Sequence, residues 1–324
     1  YTGPYIKSNE EHLISGRFIS KQLILEYIVP IHVEFVGDFT IANIYPDYSK
    51  PIYSDSVTPK VQDISNRERP KVMVTGYWPP TNEMVRHFSQ DVALNPQGWQ
   101  GENWEELGYD IVSFFPEFDP PDCNSCGQGY GDLEVDYQDY SNDFWPIVGT
   151  VDPVAIITFS RGFNDRSWEL ENRVVNRTNW YDDYTSPFLP TPNPPDETVN
   201  SYHVRYTSLP VDDIINAVFD AHLGLDPYLD NTNAGMFLSE FSGYHGVWYK
   251  ETYQEDAEIP CFSAGHIHVG GQINWEDAKQ AAETTIRTLI NYIDQFLVIS
   301  GDCNIDGEVN ILDIVALLNT ILES

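Results

Sequence analysis

Three short apolar runs, each closed by a turn residue, organise the middle of the chain. They are Val72-Met73-Val74-Thr75-Gly76, Ile111-Val112-Ser113-Phe114-Phe115 before Pro116, and Val154-Ala155-Ile156-Ile157-Thr158-Phe159. Unbroken apolar runs of this length suit strands buried on both faces. Two other stretches carry apolar residues at helical spacing. One is Val211 to Leu223; the other, Trp275 to Leu297, is a long amphipathic pattern of the kind that covers a sheet. Strands alternating with helices predict an α/β fold, a three-layer α/β/α sandwich.

The pattern differs on either side of this region. Gln22 to Val29 and Ile31 to Val36 read as strands divided by Pro30, with alternation clearest in the second. They imply a β-rich N-terminal extension, either added to the main domain or pairing with another subunit. Tyr45 to Pro70 is rich in Pro, Ser, Asp and Tyr and reads as a linker. Glu117 to Asp143 and the proline-rich Tyr181 to Thr198 read as long loops. The expected division is residues 1–69 for the extension and linker, 70–300 for the α/β/α domain and 301–324 for a C-terminal appendage.

Composition narrows the partners. The chain has 324 residues, 41% hydrophobic and 14% aromatic, enough for a packed core. Its net charge of −33 opposes binding to nucleic acid or anionic membranes, because phosphate would be repelled. No run approaches the ~20 apolar residues of a membrane span. The chain begins at Tyr1 rather than Met and has an even number of cysteines, as expected of a processed protein that is secreted or at the cell surface. Cys123 and Cys126 lie in a Gly/Asp/Pro loop rather than at a helix start, which favours a structural disulfide over redox chemistry. The bridge would form within the pair, or to Cys261 or Cys303. Asn176-Arg177-Thr178 fits the glycosylation sequon.

From Gly301 onward the oxygen-bearing residues fall at calcium-loop spacing. Asp302, Asn304, Asp306, Asn310 and Asp313 occupy loop positions 1, 3, 5, 9 and 12, with Gly307 at the sharp turn and Glu308 offering its backbone carbonyl. Ile314 to Leu322 continues as a short amphipathic helix. The segment is an EF-hand-like loop–helix expected to bind Ca²⁺. It resembles one repeat of a dockerin, a module that occurs as two repeats and docks on a cohesin; here there is one. The resemblance implies a cohesin-like or self-assembly partner.

Four further segments stand in a meaningful order. Val72-Met73-Val74-Thr75-Gly76-Tyr77-Trp78-Pro79 resembles the first strand and turn of type I pyroglutamyl peptidases, Val-Leu-Val-Thr-Gly-Phe-x-Pro-Phe-Gly. Glu171-Asn172-Arg173-Val174-Val175-Asn176 follows Arg161-Gly162 as the family's Glu-Arg-Val-Ala-Ile-Asn follows a Gly-Arg-rich turn. Ala234-Gly235-Met236-Phe237-Leu238-Ser239 is similar to Ala-Gly-x-Tyr-Val-Cys, and Gly265-His266-Ile267-His268-Val269 to Gly-Phe-Ile-His-Val. The resemblance covers roughly residues 70 to 298. It implies an α/β/α fold and a catalytic set of Glu171, Ser239 and His268, with serine in the place of the family's nucleophilic cysteine. Pro80-Thr81-Asn82 replaces the Phe-Gly-Gly of the first turn, which argues against pyroglutamate specificity.

A serine hydroxyl needs a neighbouring imidazole to become a nucleophile. His268 would be that base, Glu171 would orient it, and a helix starting near Ser239 would offer N–H groups to an oxyanion. The expected function is a peptidase or amidohydrolase. The alternative is a catalytically inactive assembly component of an extracellular surface, held by N-terminal strand exchange and the calcium repeat, since exchanging Cys for Ser in a thiol site usually stops turnover. Other candidates are a partial nucleophile elbow at Thr158 to Gly162, a His266/His268 metal pair lacking an evident third ligand, and Arg161 and Arg166, which steady a substrate carbonyl or pair with surface acids. His245 reads as a surface or packing residue.

Overall fold

The computed structural model describes residues 5–7, 13–15, 34–36, 62–63, 68–121, 123, 127–232, 234–252, 260–298, 303, 309 and 311–323. The chain divides into two compact units, Tyr1–Lys50 and Pro51–Ser324. In the first unit Tyr5–Lys7 pairs antiparallel with both Leu13–Ser15 and Glu34–Val36. The strand expected over residues 22–29 lies outside the described residues.

The second unit is built on a six-stranded sheet. Its strands are β1 (Lys71–Thr75), β2 (Asp110–Phe114), β3 (Ala155–Arg161), β4 (Ser167–Glu171), β5 (Asp226–Asp230) and β6 (Ser263–Val269). The order across the sheet is β5-β4-β6-β3-β1-β2. β2, β1, β3 and β6 run parallel; β4 is antiparallel to β6 and parallel to β5. The three apolar runs are β1, β2 and β3, buried on both faces.

Helices cover both sides, giving the expected three layers. One core joins Val72, Val74, Ile157, Phe159, Trp168, Leu170, Ile267 and Val269 of the sheet to helices α1 (Thr81–Val85), α3 (Val211–Asp220) and α5 (Trp275–Ile293). The opposite core joins Met73, Ile156 and Ala264 to α2 (Tyr137–Val151) and α4 (Leu238–Thr252). A last helix, α6, spans Ile311–Glu323.

Three expectations shift. The loop expected over 117–143 ends early, at Tyr137, where α2 begins; its N-cap Asp136 accepts hydrogen bonds from the N–H groups of Gln138 and Asp139. Its buried residues Tyr137, Tyr140, Phe144, Val148 and Val151 follow helical spacing, but aromatics and Asp gave the segment a loop-like composition. α5 stops at Ile293, because Leu297–Val298 pairs in parallel with Gln62–Asp63, inside the stretch read as linker. Residues 181–198 form no helix or strand, as expected. Asp196 anchors that loop through a buried 2.6 Å ion pair with Arg205 and a 3.0 Å hydrogen bond from the Tyr244 hydroxyl.

Candidate active site

Side chains alternate across a strand, so one run of sequence serves two environments. On β3, β4 and β6, Ile157, Phe159, Trp168, Leu170, Ile267 and Val269 enter the core under α3 and α5. The residues between them, Thr158, Ser160, Glu169, Glu171, His266 and His268, therefore point to the α4 side. Register sets Glu169 opposite His268 and Ser160 beside His268.

The structure brings Glu171 and His268 together: His268 Nδ1 lies 2.7 Å from Glu171 Oε1. Glu169 Oε2 is 3.9 Å from the same nitrogen. Burial, and then the charge of Asp230, push the Glu171 carboxyl well above the usual carboxylate range. Burial and the neighbouring Glu171 raise Glu169 to about 7. Burial lowers His268 below the ordinary imidazole value, against the pull of Glu169 and Asp230, so the ring is neutral at neutral pH. Glu171 Oε2 is buried and makes no hydrogen bond.

Ser239 occupies the first turn of α4, where unsatisfied N–H groups face outward. Its hydroxyl is 2.9 Å from the Tyr77 hydroxyl. Burial keeps the Tyr77 phenol protonated, and its oxygen also meets Ser160 and Ser242. Among the described residues no hydrogen bond joins Ser239 to His268. The next residue, Glu240, is fully buried; its Oε1 accepts from the Val175 N–H at 2.6 Å and from Arg177 Nε at 3.3 Å. Burial raises its carboxyl to about 8, against the pull of Arg177. α4 lies close on the sheet because Gly243 has no side chain: a Cβ there would sit 2.9 Å from His266 Cβ.

The competing candidates resolve differently. Ser160 is a fully buried mid-strand residue bonded to His266 Nε2 at 2.8 Å, so Thr158 to Gly162 is no nucleophile elbow. His266 also holds Thr158 at Nδ1, 2.8 Å, so both ring nitrogens are engaged and the His266/His268 pair is no metal site. Arg166 pairs with Asp277 and binds the carbonyls of Leu223 and Gly224. Arg161 makes no side-chain hydrogen bond among the described residues, and its Nε is buried. His245 packs among Tyr140, Phe144 and Phe241, with burial lowering it to about 4. Asn176 is fully buried and its amide is bound to Asp196, so the sequon is closed in the folded chain. Cys261 and Cys303 are thiols rather than half-cystines, which removes the bridges proposed to either; Cys126 lies outside the described residues.

Asp302, Asn304, Asp306, Glu308 and Asn310 also lie outside the described residues. Asp313 is buried, and its Oδ1 accepts from the Cys303 N–H at 2.7 Å, so the last loop position reaches back to the first turn.

Sequence reasoning missed Tyr77, Glu169 and Asp230. Glu169 carried a usable signal, since it stands two residues before Glu171 in the alternating Ser-Trp-Glu-Leu-Glu of β4 and must share its face. Tyr77 lay in a matched segment but differs from the family's Phe only by a hydroxyl.

No protein-family model matches the sequence, and no curated protein matches it. Solved structures do. A point variant of pyrrolidone carboxyl peptidase from the hyperthermophile Pyrococcus furiosus superposes with a TM-score of 0.50 at 14% identity, covering 69% of this chain and 99% of the other. The pyrrolidone carboxyl peptidase of Thermococcus litoralis gives 0.51 at 13% identity, covering 70% and 96%. The central α/β/α domain thus has the fold of pyrrolidone carboxyl peptidases.

Proposed function

We propose that the chain hydrolyses peptide or related amide bonds through Ser239, His268 and Glu171. The observation that carries this reading is the 2.7 Å contact between His268 Nδ1 and Glu171 Oε1. Burying a carboxyl with one oxygen left unbonded is unfavourable by about 1–3 kcal/mol, and such sites concentrate where chemistry is done. With its ring proton on Nδ1 and donated to an ionised Glu171, a neutral His268 would have Nε2 available as a base. Ser239 would turn toward it, lose its proton to Nε2 and attack the carbonyl carbon. The N–H groups at the start of α4 would receive the oxyanion. His268 would return the proton to the leaving amine, and water would then release the acyl group by the same route.

The test is a fluorophosphonate probe on the folded, Ca²⁺-loaded protein, with the labelled peptide mapped by mass spectrometry. Labelling at Ser239 that disappears in His268→Ala supports the reading. Absence of labelling in folded protein sinks it.

A second reading draws on the bond from Ser239 to Tyr77 rather than to His268. Here the fold is retained without turnover, and the chain is an assembly component of an extracellular surface. In either case we propose that the protein is secreted and that Asp302, Asn304, Asp306, Glu308, Asn310 and Asp313 hold Ca²⁺. The buried, inward-turned Asp313 fits a closing ligand of that loop.

A further inference from the structure

Three carboxylates crowd one imidazole on the α4 face of the sheet. Glu169 and Glu171 project from β4, and His268 faces Glu169 from β6. Asp230 stands opposite Glu171 on β5. Among the described residues His268 is the only basic side chain in ion-pair contact with Glu169 or Glu171. Carboxylates this close repel one another when ionised, and low-dielectric surroundings strengthen the repulsion.

We propose that Glu169, Glu171 and His268 form a binding site for a divalent transition ion of the zinc type. One ligand atom from each residue lies within 4.8 Å of the others. The two distances from His268 Nδ1 are 2.7 Å to Glu171 and 3.9 Å to Glu169. An ion between them reaches the usual ~2.0–2.2 Å to nitrogen and carboxylate oxygen with small side-chain rotations. Independent of this clustering, Glu171 is 2% exposed and keeps one oxygen buried without a hydrogen-bond partner, which a metal contact would satisfy. The ligands stand on adjacent paired strands, so the site is largely formed in advance. One nitrogen and two oxygens suit Zn²⁺, Co²⁺ or Mn²⁺; Ca²⁺ and Mg²⁺ prefer all-oxygen sets with more ligands.

The ion would use His268 Nδ1, the nitrogen that faces Glu171. Metal and the Glu171–His268 hydrogen bond are then mutually exclusive. If the hydrolase reading holds, zinc switches the site off; metal binding itself does not depend on that reading.

The experiment is a calorimetric titration of the full chain with Zn²⁺, in Ca²⁺ sufficient to fill the C-terminal loop, repeated with Co²⁺ to read coordination from its visible absorbance. One site is expected, weakened at least tenfold in Glu169→Gln and in Glu171→Gln. Asp306→Ala, which alters the C-terminal loop, should leave it unchanged. No binding, or binding of equal affinity in both Gln variants with folding confirmed by circular dichroism, overturns the proposal. Fluorophosphonate labelling is read alongside. A protein that binds zinc but never labels retains this site and loses the hydrolase reading; one that labels but ignores zinc does the reverse.

Discussion

The hydroxyls of Tyr77 and Ser239 lie 2.9 Å apart across 162 residues of sequence. Both positions depart from the pyroglutamyl peptidase segments they otherwise match, Tyr standing for Phe and Ser for Cys. Each departure adds an oxygen, and the two oxygens bond to each other. The phenol keeps its proton and can donate to Ser239, leaving the serine hydrogen for a base.

Donation from Tyr77 would stabilise a developing alkoxide. Tyr77→Phe should therefore slow fluorophosphonate labelling of Ser239 on the order of tenfold, the equivalent of a hydrogen bond of about 1.4 kcal/mol. Its thermal stability should change little, because the ring still packs. Faster labelling would show that the phenol restrains the serine, and unchanged labelling would remove it from the reaction.

Glu169 is raised to about 7 by burial and by Glu171. Between its unfolded value near 4.5 and this folded value, the native state holds a proton that the unfolded chain has released. Stability therefore falls as pH rises through that window, and the penalty is complete above it. Glu169→Gln removes the ionisation. In metal-free buffer its Tm should match the parent near about pH 4 and exceed it at about pH 8. A pH-independent difference would contradict the assignment.

Arg205 and Asp196 form a buried pair with side chains 3% and 0% exposed. Burial alone would raise Asp196, but hydrogen bonds from Thr198 and Arg205 outweigh it and hold the carboxyl below its usual range. Arg205→Met strands that charge and should destabilise the fold by about 3–5 kcal/mol in urea unfolding. The deficit should shrink in acid, as Asp196 becomes protonated. A loss under about 1 kcal/mol would mean that water reaches the pair.

Gly243→Ala places a Cβ 2.9 Å from His266 Cβ. Helix α4 must move outward, which should lower stability by about 1–3 kcal/mol. Ser239 moves with the helix, so fluorophosphonate labelling should fall as well. Unaltered stability would show that the helix yields freely.

Asp313→Ala should abolish calorimetric Ca²⁺ binding at the C-terminal loop and speed proteolysis near α6. The helix exposes Ile311, Ile314, Leu318 and Leu322, at 67%, 54%, 52% and 81%, so cleavage there is readily scored once the loop loosens. Retained Ca²⁺ affinity would remove Asp313 from the ligand set.

Legibility followed burial. β1, β2 and β3 were readable because both faces are covered and their runs are almost wholly apolar. The Glu171–His268 pairing came through the matched segments, and their contact follows from adjacent strands. α2 was hidden by its Asp, Asn and Tyr content and by Pro146, although its apolar spacing was present. Glu169 was overlooked because an alternating strand is diagnosed by its apolar half, here Trp168 and Leu170, and the polar half was not followed. The Tyr77 hydroxyl gave no local signal, since its partner is set by the position of α4 rather than by sequence spacing.

Strand β4 runs against its neighbour β6, and after Ser167 its residues alternate between Trp168 and Leu170 for the core and Glu169 and Glu171 for the site. Inserting or deleting a single residue in the short turn between Arg161 and Ser167, if absorbed as a slip of the strand, would exchange the two faces together. Two acids would enter an apolar layer as the indole left it. A length change in that turn which shifts the strand would thus cost folding and chemistry in the same event, whereas a single substitution on the strand touches only one of the two.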